Sequence, residues 1–180
     1  AIAYSKWINK IFKSKIITQS AFNQSNNFKE LLADSNYQIC LLSEKEWVYA
    51  STLGKNISYP WGNKVSTNFC NFKTSKIKKT SPVGCYMDGV SESGLFDLSG
   101  NTWEWLRTKW GPSLEKRKYK NVIPVEDDRD NIKTEINYLR AMKGGSFLVE
   151  NKRLKIKFED AVPPESTDDG DGFRIGLVKI

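Results

Sequence analysis

The sequence contains no histidine and only three cysteines. Without histidine, the chain has no Ser-His or Cys-His nucleophile pair and no imidazole ligand for zinc, copper or non-haem iron. Cys40, Cys70 and Cys85 are separated by 30 and 15 positions, a spacing that matches no compact metal-binding knuckle. The count is consistent with one disulfide plus one free thiol, and equally with three buried thiols.

Long apolar runs are also absent. No stretch approaches the ~20 apolar residues that a membrane-spanning helix needs, and no charged-then-apolar leader opens the sequence. Hydrophobic residues nevertheless make up 39% of the 180 positions, with six Trp, seven Tyr and nine Phe. This composition indicates a folded, aromatic-rich globule large enough to bury a core within one domain.

Arginine is missing from the first half of the chain, although that half carries all of the excess positive charge. Residues 1–90 contain 12 Lys and 5 acids, whereas residues 91–180 contain 16 basic and 16 acidic residues. The densest cluster is formed by Lys73, Lys76, Lys78 and Lys79. Since arginine is the usual reader of phosphates and base edges, we interpret the cluster as a solvated lysine loop. A nucleic-acid partner is not expected.

Local patterns predict two early helices. Ala3, Tyr4, Trp7 and Ile8 recur at helical spacing with lysines on the other face, and a second helix begins after Ser43. There Ser43 and Glu46 match a capping box, which gives Glu46 a structural role. A further short helix is expected around 28–32 within an otherwise polar loop. Short strands are predicted over 122–125, 139–142 and 174–178, with residues 56–141 mostly in loops.

The run from Gly94 to Trp105, GLFDLSGNTWEW, fits neither a helical nor a strand period. Its paired glycines, acids and tryptophans predict a tight loop pinned into the core. Asp97 and Glu104 with nearby carbonyls would form an oxygen-rich site that suits a hard cation. The alternative is that Asp97 only closes a turn and Glu104 only caps loop amides.

Six ordered blocks resemble the formylglycine-generating enzyme (sulfatase-modifying factor) family. They are LLSEKEWVYA at 41–50, YPWGN at 59–63, SPVG at 81–84, GLFDLSGNTWEW at 94–105, RAMKGGSF at 140–147 and GFR at 172–174. The resemblance covers residues 1–180 as one domain and implies an α+β, loop-rich variant C-type-lectin fold with short twisted antiparallel strands. It also implies that the N-terminal part of the domain lies upstream of Ala1.

The resemblance further implies structural calcium. The expected ligands lie in the loop from Asp97 to Glu104, and the corresponding residues here are Asp97, Leu98, Gly100, Asn101, Thr102 and Glu104. Leu98 and Thr102 would contribute only carbonyl oxygens. Asn71 and Phe72 would begin a second site, whose later acidic partners are absent from the short 73–80 connection. No copper or iron is expected.

One departure from the family pattern bears on activity. Formylglycine-generating enzymes carry two redox cysteines just after their GGSW block, whereas no cysteine follows Cys85 here. Glu159 is the nearest counterpart, by spacing, of a family arginine. We therefore expect no oxidation of sulfatase cysteines, and the resemblance favours a non-catalytic module, a pseudoenzyme that binds a protein, peptide or glycan.

Two other functions are consistent with the same scaffold. The chain could be the C-terminal portion of an enzyme of the sulfoxide-synthase type, whose iron ligands lie on another domain. It could also be a retroelement-diversified binding protein, which predicts an Asn-rich tract before the terminal GFR; residues 147–171 hold one asparagine, Asn151. The likeness favours a bacterial protein that is exported, periplasmic or on the cell surface.

Overall fold

The structure is a computed structural model that describes residues 1–14, 26–118, 127–131 and 138–179. The chain divides into two compact units, one formed by 1–42 with 174–180 and the other by 43–173. The helices of the described ranges are α1 (Ile2–Lys13), α2 (Asn26–Ala33) and α3 (Glu44–Thr52). The strands are β1 (Tyr37–Leu41), β2 (Trp103–Gly111), β3 (Leu139–Lys143), β4 (Asp160–Val162), β5 (Asp171–Gly172) and β6 (Ile175–Lys179).

The smaller unit combines α1 and α2 with an antiparallel pair of strands, β1 and β6. The side chain of Asn9 accepts a hydrogen bond from the Ile39 amide at 2.8 Å, and Lys13 Nζ donates to the Tyr37 carbonyl at 2.7 Å. These two bonds fasten α1 to β1. The predicted opening helix, the short helix over 28–32 and the strand over 174–178 are confirmed here.

The larger unit contains a four-stranded sheet in the order β4-β3-β2-β5. The β2–β3 and β3–β4 pairs are antiparallel, whereas β5 pairs with β2 in parallel, which the expectation of antiparallel strands does not include. The strand predicted over 139–142 is confirmed as β3. The strand predicted over 122–125 lies outside the described residues.

The described part of 56–141 lies mostly in loops, as expected, and strand β2 is its longest regular element. It runs for nine residues and takes in the Trp-Glu-Trp that ends the predicted loop over 94–105. Most of its side chains are buried on both faces, including Thr108 and the fully buried Lys109. Because polar and apolar residues do not alternate regularly along β2, its sequence lacks the period of two that indicates a strand.

Helix α3 begins as predicted. The Ser43 hydroxyl accepts from the Glu46 amide at 3.2 Å, and Glu46 Oε2 accepts from the Ser43 amide at 2.8 Å, which completes the capping box. Its inner face buries Trp47 completely. The helix ends at Thr52 and is followed by Leu53, which adopts the left-handed conformation with φ of 48°.

Much of the larger unit between α3 and β2 is irregular, with short 3-10 turns as its only helical elements among the described residues. The four 3-10 turns of the described chain are Lys73–Ser75, Met87–Gly89, Asp128–Asp130 and Asn151–Leu154. The larger unit is thus a loop-rich scaffold built around one sheet and one helix.

None of the helices in the described ranges is long and apolar enough to cross a membrane.

Candidate functional site

The segment from Asp97 to Glu104, which we call the oxygen-rich loop, is shaped by left-handed backbone. Asp97, Gly100 and Asn101 have φ angles of 56°, 84° and 65°. Two consecutive left-handed residues turn the chain sharply just before β2 begins. Gly100 is required there, because a Cβ at this position would come within 2.5 Å of the Asn71 carbonyl oxygen.

Asp97 is tied to the block at 81–84. Its Oδ2 accepts a hydrogen bond from the Gly84 amide at 2.7 Å. The carboxylate also acts on Cys70: burial, reinforced by the negative charge of Asp97, raises the pKa of the Cys70 thiol to about 12. The hydrogen bond from the Gly84 amide spans 13 positions of the chain, so Asp97 joins two loops.

Glu104 is buried on β2, and its Oε2 accepts from the indole Nε1 of Trp47 at 2.7 Å. This hydrogen bond links β2 to the fully buried face of α3. The Glu104 carboxylate is one of the two acidic side chains that the expected calcium site would use.

Asn101 connects the oxygen-rich loop to three other segments. Its amide donates to the Asn71 carbonyl at 2.7 Å, and its carbonyl accepts from the Phe147 amide at 3.0 Å. Its side chain exchanges hydrogen bonds with the backbone of Ser81, at 2.9 Å to the amide and 3.2 Å to the carbonyl. The side chain of Asn101 thus shapes the loop, and its amide oxygen is already in use.

Asn71 has an unusual hydrogen-bond deficit. It is fully buried, and its Nδ2 donates to the Lys79 carbonyl at 2.8 Å and more weakly to Ser81 Oγ at 3.5 Å. Its Oδ1 is the one buried side-chain nitrogen or oxygen of the described residues that has no hydrogen-bond partner. A buried oxygen without a donor is the kind of atom that a water molecule or a cation satisfies.

The other predicted ligands are placed as follows. Leu98 is fully buried, and Phe72 lies in a core cluster with Tyr59, Cys70 and Leu154. The Phe72 carbonyl accepts from the Ser75 amide at 2.8 Å, so that oxygen is already hydrogen-bonded. Thr102 packs against Gly172 of β5. Nothing in the described part of the chain groups three or more Cys, Asp or Glu side chains at metal-binding distance.

The donor types of the residues expected to hold calcium are those that calcium prefers over a transition metal. Two separate carboxylates, buried backbone oxygens and the open Asn71 Oδ1 are all hard oxygen donors. Calcium accepts such mixed sets of side-chain and main-chain oxygens, whereas copper and zinc favour the thiolates and imidazoles that this site lacks.

The segment after the paired glycines contributes apolar side chains to the hydrophobic core. Gly144 and Gly145 have φ of 94° and 72°, and a Cβ on Gly145 would come within 3.0 Å of the Arg153 carbonyl. Beyond them, Leu154 is fully buried against Cys70, and Val149 packs on the same cluster. Where the resemblance places redox thiols, this chain has apolar packing.

The three cysteines are free. Cys40 and Cys70 are buried and Cys85 is exposed, so neither of the two expected arrangements, a disulfide or three buried thiols, is found. With its pKa raised by burial, Cys70 is a protonated thiol at neutral pH and not a nucleophile.

Sequence reasoning missed a group of buried and half-buried ions that we call the charged cluster: Glu44, Arg117, Lys143 and Glu159. Lys143 Nζ lies 3.1 Å from Glu44 Oε1, and Arg117 lies 2.7 Å from Glu44 Oε2 and also pairs with Glu159. The Arg117 guanidinium lies over the Trp110 ring at 4.3 Å. The one sequence signal was a lysine ending a buried strand, at Lys143.

The sulfatase-modifying factor enzyme 1-like domain model matches residues 1–178. Among curated relatives, the inactive Cα-formylglycine-generating enzyme 2 of Bos taurus is 28% identical over 149 residues, which cover 74% of this chain and 42% of that protein. The hercynine oxygenase of Mycobacterium tuberculosis (strain ATCC 25618 / H37Rv) is 26% identical over 117 residues, covering 65% of this chain and 26% of that protein. Formylglycine-generating enzymes not named inactive also match, over about three quarters of the chain.

A solved structure gives the same architecture. PvdO from Pseudomonas aeruginosa superposes with a TM-score of 0.60 and 17% identity, over 99% of this chain and 58% of its own. The chain thus spans about half the length of the proteins it matches, or less. The α+β, loop-rich variant C-type-lectin fold implied by the six sequence blocks is confirmed, and the chain belongs to the sulfatase-modifying factor (formylglycine-generating enzyme-like) family.

Proposed function

We propose that the chain is a non-catalytic member of its family that serves as a binding module for a protein, peptide or glycan. The observation that carries this proposal is the segment after Ser146, where Val149 and Leu154 fill the core in place of a thiol pair. The inactive enzyme 2 among its relatives supports the same conclusion. A module of this kind keeps the scaffold and uses its loops for recognition.

The remaining thiols offer no substitute for that pair. Cys70 is buried and protonated at neutral pH, because burial and Asp97 raise its pKa to about 12. Cys85 is exposed but stands outside the segment that carries the chemistry in the enzymes. Thiol-driven oxygen activation needs two thiolates at one metal, and the described residues bring no two cysteines into a disulfide.

The activity test is direct, and it makes the first prediction. We expect no aldehyde when the chain is incubated with a sulfatase-motif peptide, copper and a thiol reductant, followed by mass spectrometry of the peptide. An active formylglycine-generating enzyme in parallel is the positive control. Aldehyde above the no-enzyme background would overturn the non-catalytic assignment.

The binding half of the proposal needs its own measurement. The immobilised chain is exposed to a glycan array and to a peptide array, with heat-unfolded chain as the control. Saturable binding to one class that disappears on unfolding supports a binding module and names the class. Equal retention by folded and unfolded chain would contradict it.

A catalytic alternative is favoured by the match to hercynine oxygenase. With no histidine of its own, this chain would line the pocket of an enzyme whose iron ligands lie on another domain. Iron analysis of the protein in its natural full-length form separates the two functions. Stoichiometric iron there supports the alternative, whereas iron-free full-length protein supports the module.

We also propose one structural calcium ion in the larger unit. Asp97 and Glu104 would supply carboxylate oxygens, and the carbonyls of Leu98, Gly100 and Thr102 would complete the set. The unpartnered Oδ1 of Asn71 lies at the start of the expected second site, for which we propose no ion because its later acidic partners are absent from the 73–80 connection. Calcium supplies cross-linking of the loops and no redox chemistry.

A further inference from the structure

A cavity of about 630 Å³ opens within the larger unit, away from the oxygen-rich loop, and neither the family match nor the proposed function assigns it a ligand. Its volume lies within the ~300–1,000 Å³ typical of small-molecule pockets. One wall is α3 and the other is the segment around Ile156 and Lys157. Most of the lining is apolar, with charged groups at the base and at the mouth.

The α3 wall uses a single face of the helix. Lys45, Val48, Tyr49 and Thr52 follow the i, i+3, i+4, i+7 spacing that places side chains on one stripe. Tyr49 is 63% exposed although its ring is apolar. Such an exposed aromatic beside a cavity gives a ligand an apolar surface to pack on.

The base of the cavity belongs to the charged cluster, and its charges are already paired. Glu44 contacts both Lys143 and Arg117, and Glu159 pairs with Arg117. Lys143 also donates to the carbonyls of Ile156 and Phe158, at 3.2 and 3.3 Å. Neither acid therefore offers a free negative charge that would hold a cationic ligand.

The mouth of the cavity carries the unbalanced charge. Lys45 and Lys157 are exposed lining residues, and among the described residues neither forms an ion pair or a side-chain hydrogen bond. With the base neutral, the two lysines leave the cavity positive. An apolar interior under two ammonium groups complements a molecule with an apolar body and one anionic end.

We propose that this cavity binds a small amphiphilic organic acid, with its apolar body against Val48, Tyr49 and Ile156 and its carboxylate between Lys45 and Lys157. The assignment rests on the cavity and its charges, and it does not depend on the loss of catalytic cysteines. Detecting catalysis would overturn the proposed function and leave this site standing. Failure of the site would leave the proposed function standing.

The test titrates the whole chain, labelled with ¹⁵N, with three matched probes: 4-phenylbutyrate, 4-phenylbutanamide and 4-phenylbutylamine. We expect saturable shifts of amide resonances in α3 and in 156–159, with the acid binding about tenfold more tightly than the neutral amide, as two exposed ion pairs would give. Equal affinity of acid and amide, tighter binding of the amine, or no saturable shift with any probe would overturn the proposal. So would tighter binding of N-acetyl-Gly-Gly-Phe than of 4-phenylbutyrate, since a peptide carboxyl terminus would then be the occupant.

Variants locate the site. Lys45→Ala with Lys157→Ala should weaken 4-phenylbutyrate binding about tenfold, whereas Lys64→Ala with Lys79→Ala, an equal loss of charge at exposed positions outside the cavity, should leave it unchanged. Equal weakening by both pairs would assign the effect to net charge and overturn the proposal. Val48→Glu should abolish binding by placing a carboxylate in the apolar wall, and unchanged binding would likewise overturn it. Thermal melts check that each variant folds, and the probe comparison on the unmodified chain decides the matter for any that does not.

Discussion

The charged cluster and the oxygen-rich loop both bury polar atoms in the larger unit, but they satisfy those atoms differently. In the charged cluster, Glu44 and Lys143 neutralise each other at 3.1 Å with further help from Arg117. Around the oxygen-rich loop, backbone amides donate most of the hydrogen bonds, and the buried Oδ1 of Asn71 has no hydrogen-bond partner. The charges of the first region neutralise each other, whereas the second region leaves one buried oxygen without a hydrogen-bond donor.

The largest expected effect comes from breaking the charged cluster. Lys143→Met should lower the free energy of unfolding by about 3 kcal/mol, since it leaves a buried carboxylate with one cationic partner instead of two. Urea denaturation measures the loss. Lys157→Met is the matched control, because an exposed lysine without an ion pair should change stability by less than about 0.5 kcal/mol. Equal stability of both variants would contradict a structural role for the cluster.

The next effect tests whether the oxygen-rich loop is completed by calcium. Millimolar calcium should raise the melting temperature relative to excess chelator. At a calcium concentration 100 times the dissociation constant, the free energy of unfolding should rise by about 2.7 kcal/mol. Glu104→Gln should remove most of this shift, whereas Glu92→Gln, an exposed acid outside the loop, should retain it. An unmoved midpoint together with no calorimetric uptake would mean that hydrogen bonds alone hold the loop.

A smaller effect concerns the helix that supports the charged cluster from Glu44 onward. Ser43→Ala removes the hydroxyl that accepts from the Glu46 amide, and it should cost about 0.5–2 kcal/mol, as lost N-caps do. Ser35→Ala, at an exposed position, is the control. A melting curve of Ser43→Ala that overlays that of the unmodified chain would show that the cap does not contribute to stability.

The smallest effect is a pH dependence at the same cap. Burial raises the pKa of Glu46, but hydrogen bonds from Arg107 and Ser43 outweigh it and leave the pKa below its ordinary 4.5. The carboxylate therefore contributes stability above the unfolded pKa, and this is lost as pH falls through the lower folded value. Glu46→Gln should lack that part of the acid-induced destabilisation, and denaturation at pH 7 and below 4 compares the two. Parallel pH profiles of stability for the two proteins would contradict this prediction. We expect the loss of stability to be smaller than that of Ser43→Ala, because the Glu46 carboxylate is partly solvated.

Local signals predicted the three helices and strands β3 and β6, whereas β1, β2, β4 and β5 were not predicted. The capping box at Ser43 and Glu46 and the amphipathic stripe of α1 each lie within one or two helical turns, so the sequence alone displays them. Strand β2 escaped prediction because its buried Lys109 is neutralised by Asp128 at 2.6 Å. Asp128 lies 19 positions further along the chain, so the pattern of residues within β2 does not reveal the pairing.

The candidate site was predicted by resemblance more than by physics. Residues 97–104 were singled out by an ordered set of motifs, while the hydrogen bond from Trp47 to Glu104 could not be read from either residue alone. The deficit at Asn71 Oδ1 depends on where Lys79 and Ser81 come to lie. The charged cluster and its cavity arise from segments remote in sequence, so only the folded chain reveals them.

The two ends of the 73–80 connection are each held by a hydrogen bond to another segment. The Lys73 amide donates to the Val149 carbonyl at 3.1 Å, and the Ser81 amide donates to Asn101 Oδ1 at 2.9 Å. Each doubling of a loop's length costs only ~0.6 kcal/mol of closure entropy when its ends are held. An insertion at 76–78, which leaves the Lys79 carbonyl on Asn71 Nδ2, should therefore cost little stability, and this stretch is where we expect a foreign peptide to be displayed with least disturbance of the scaffold.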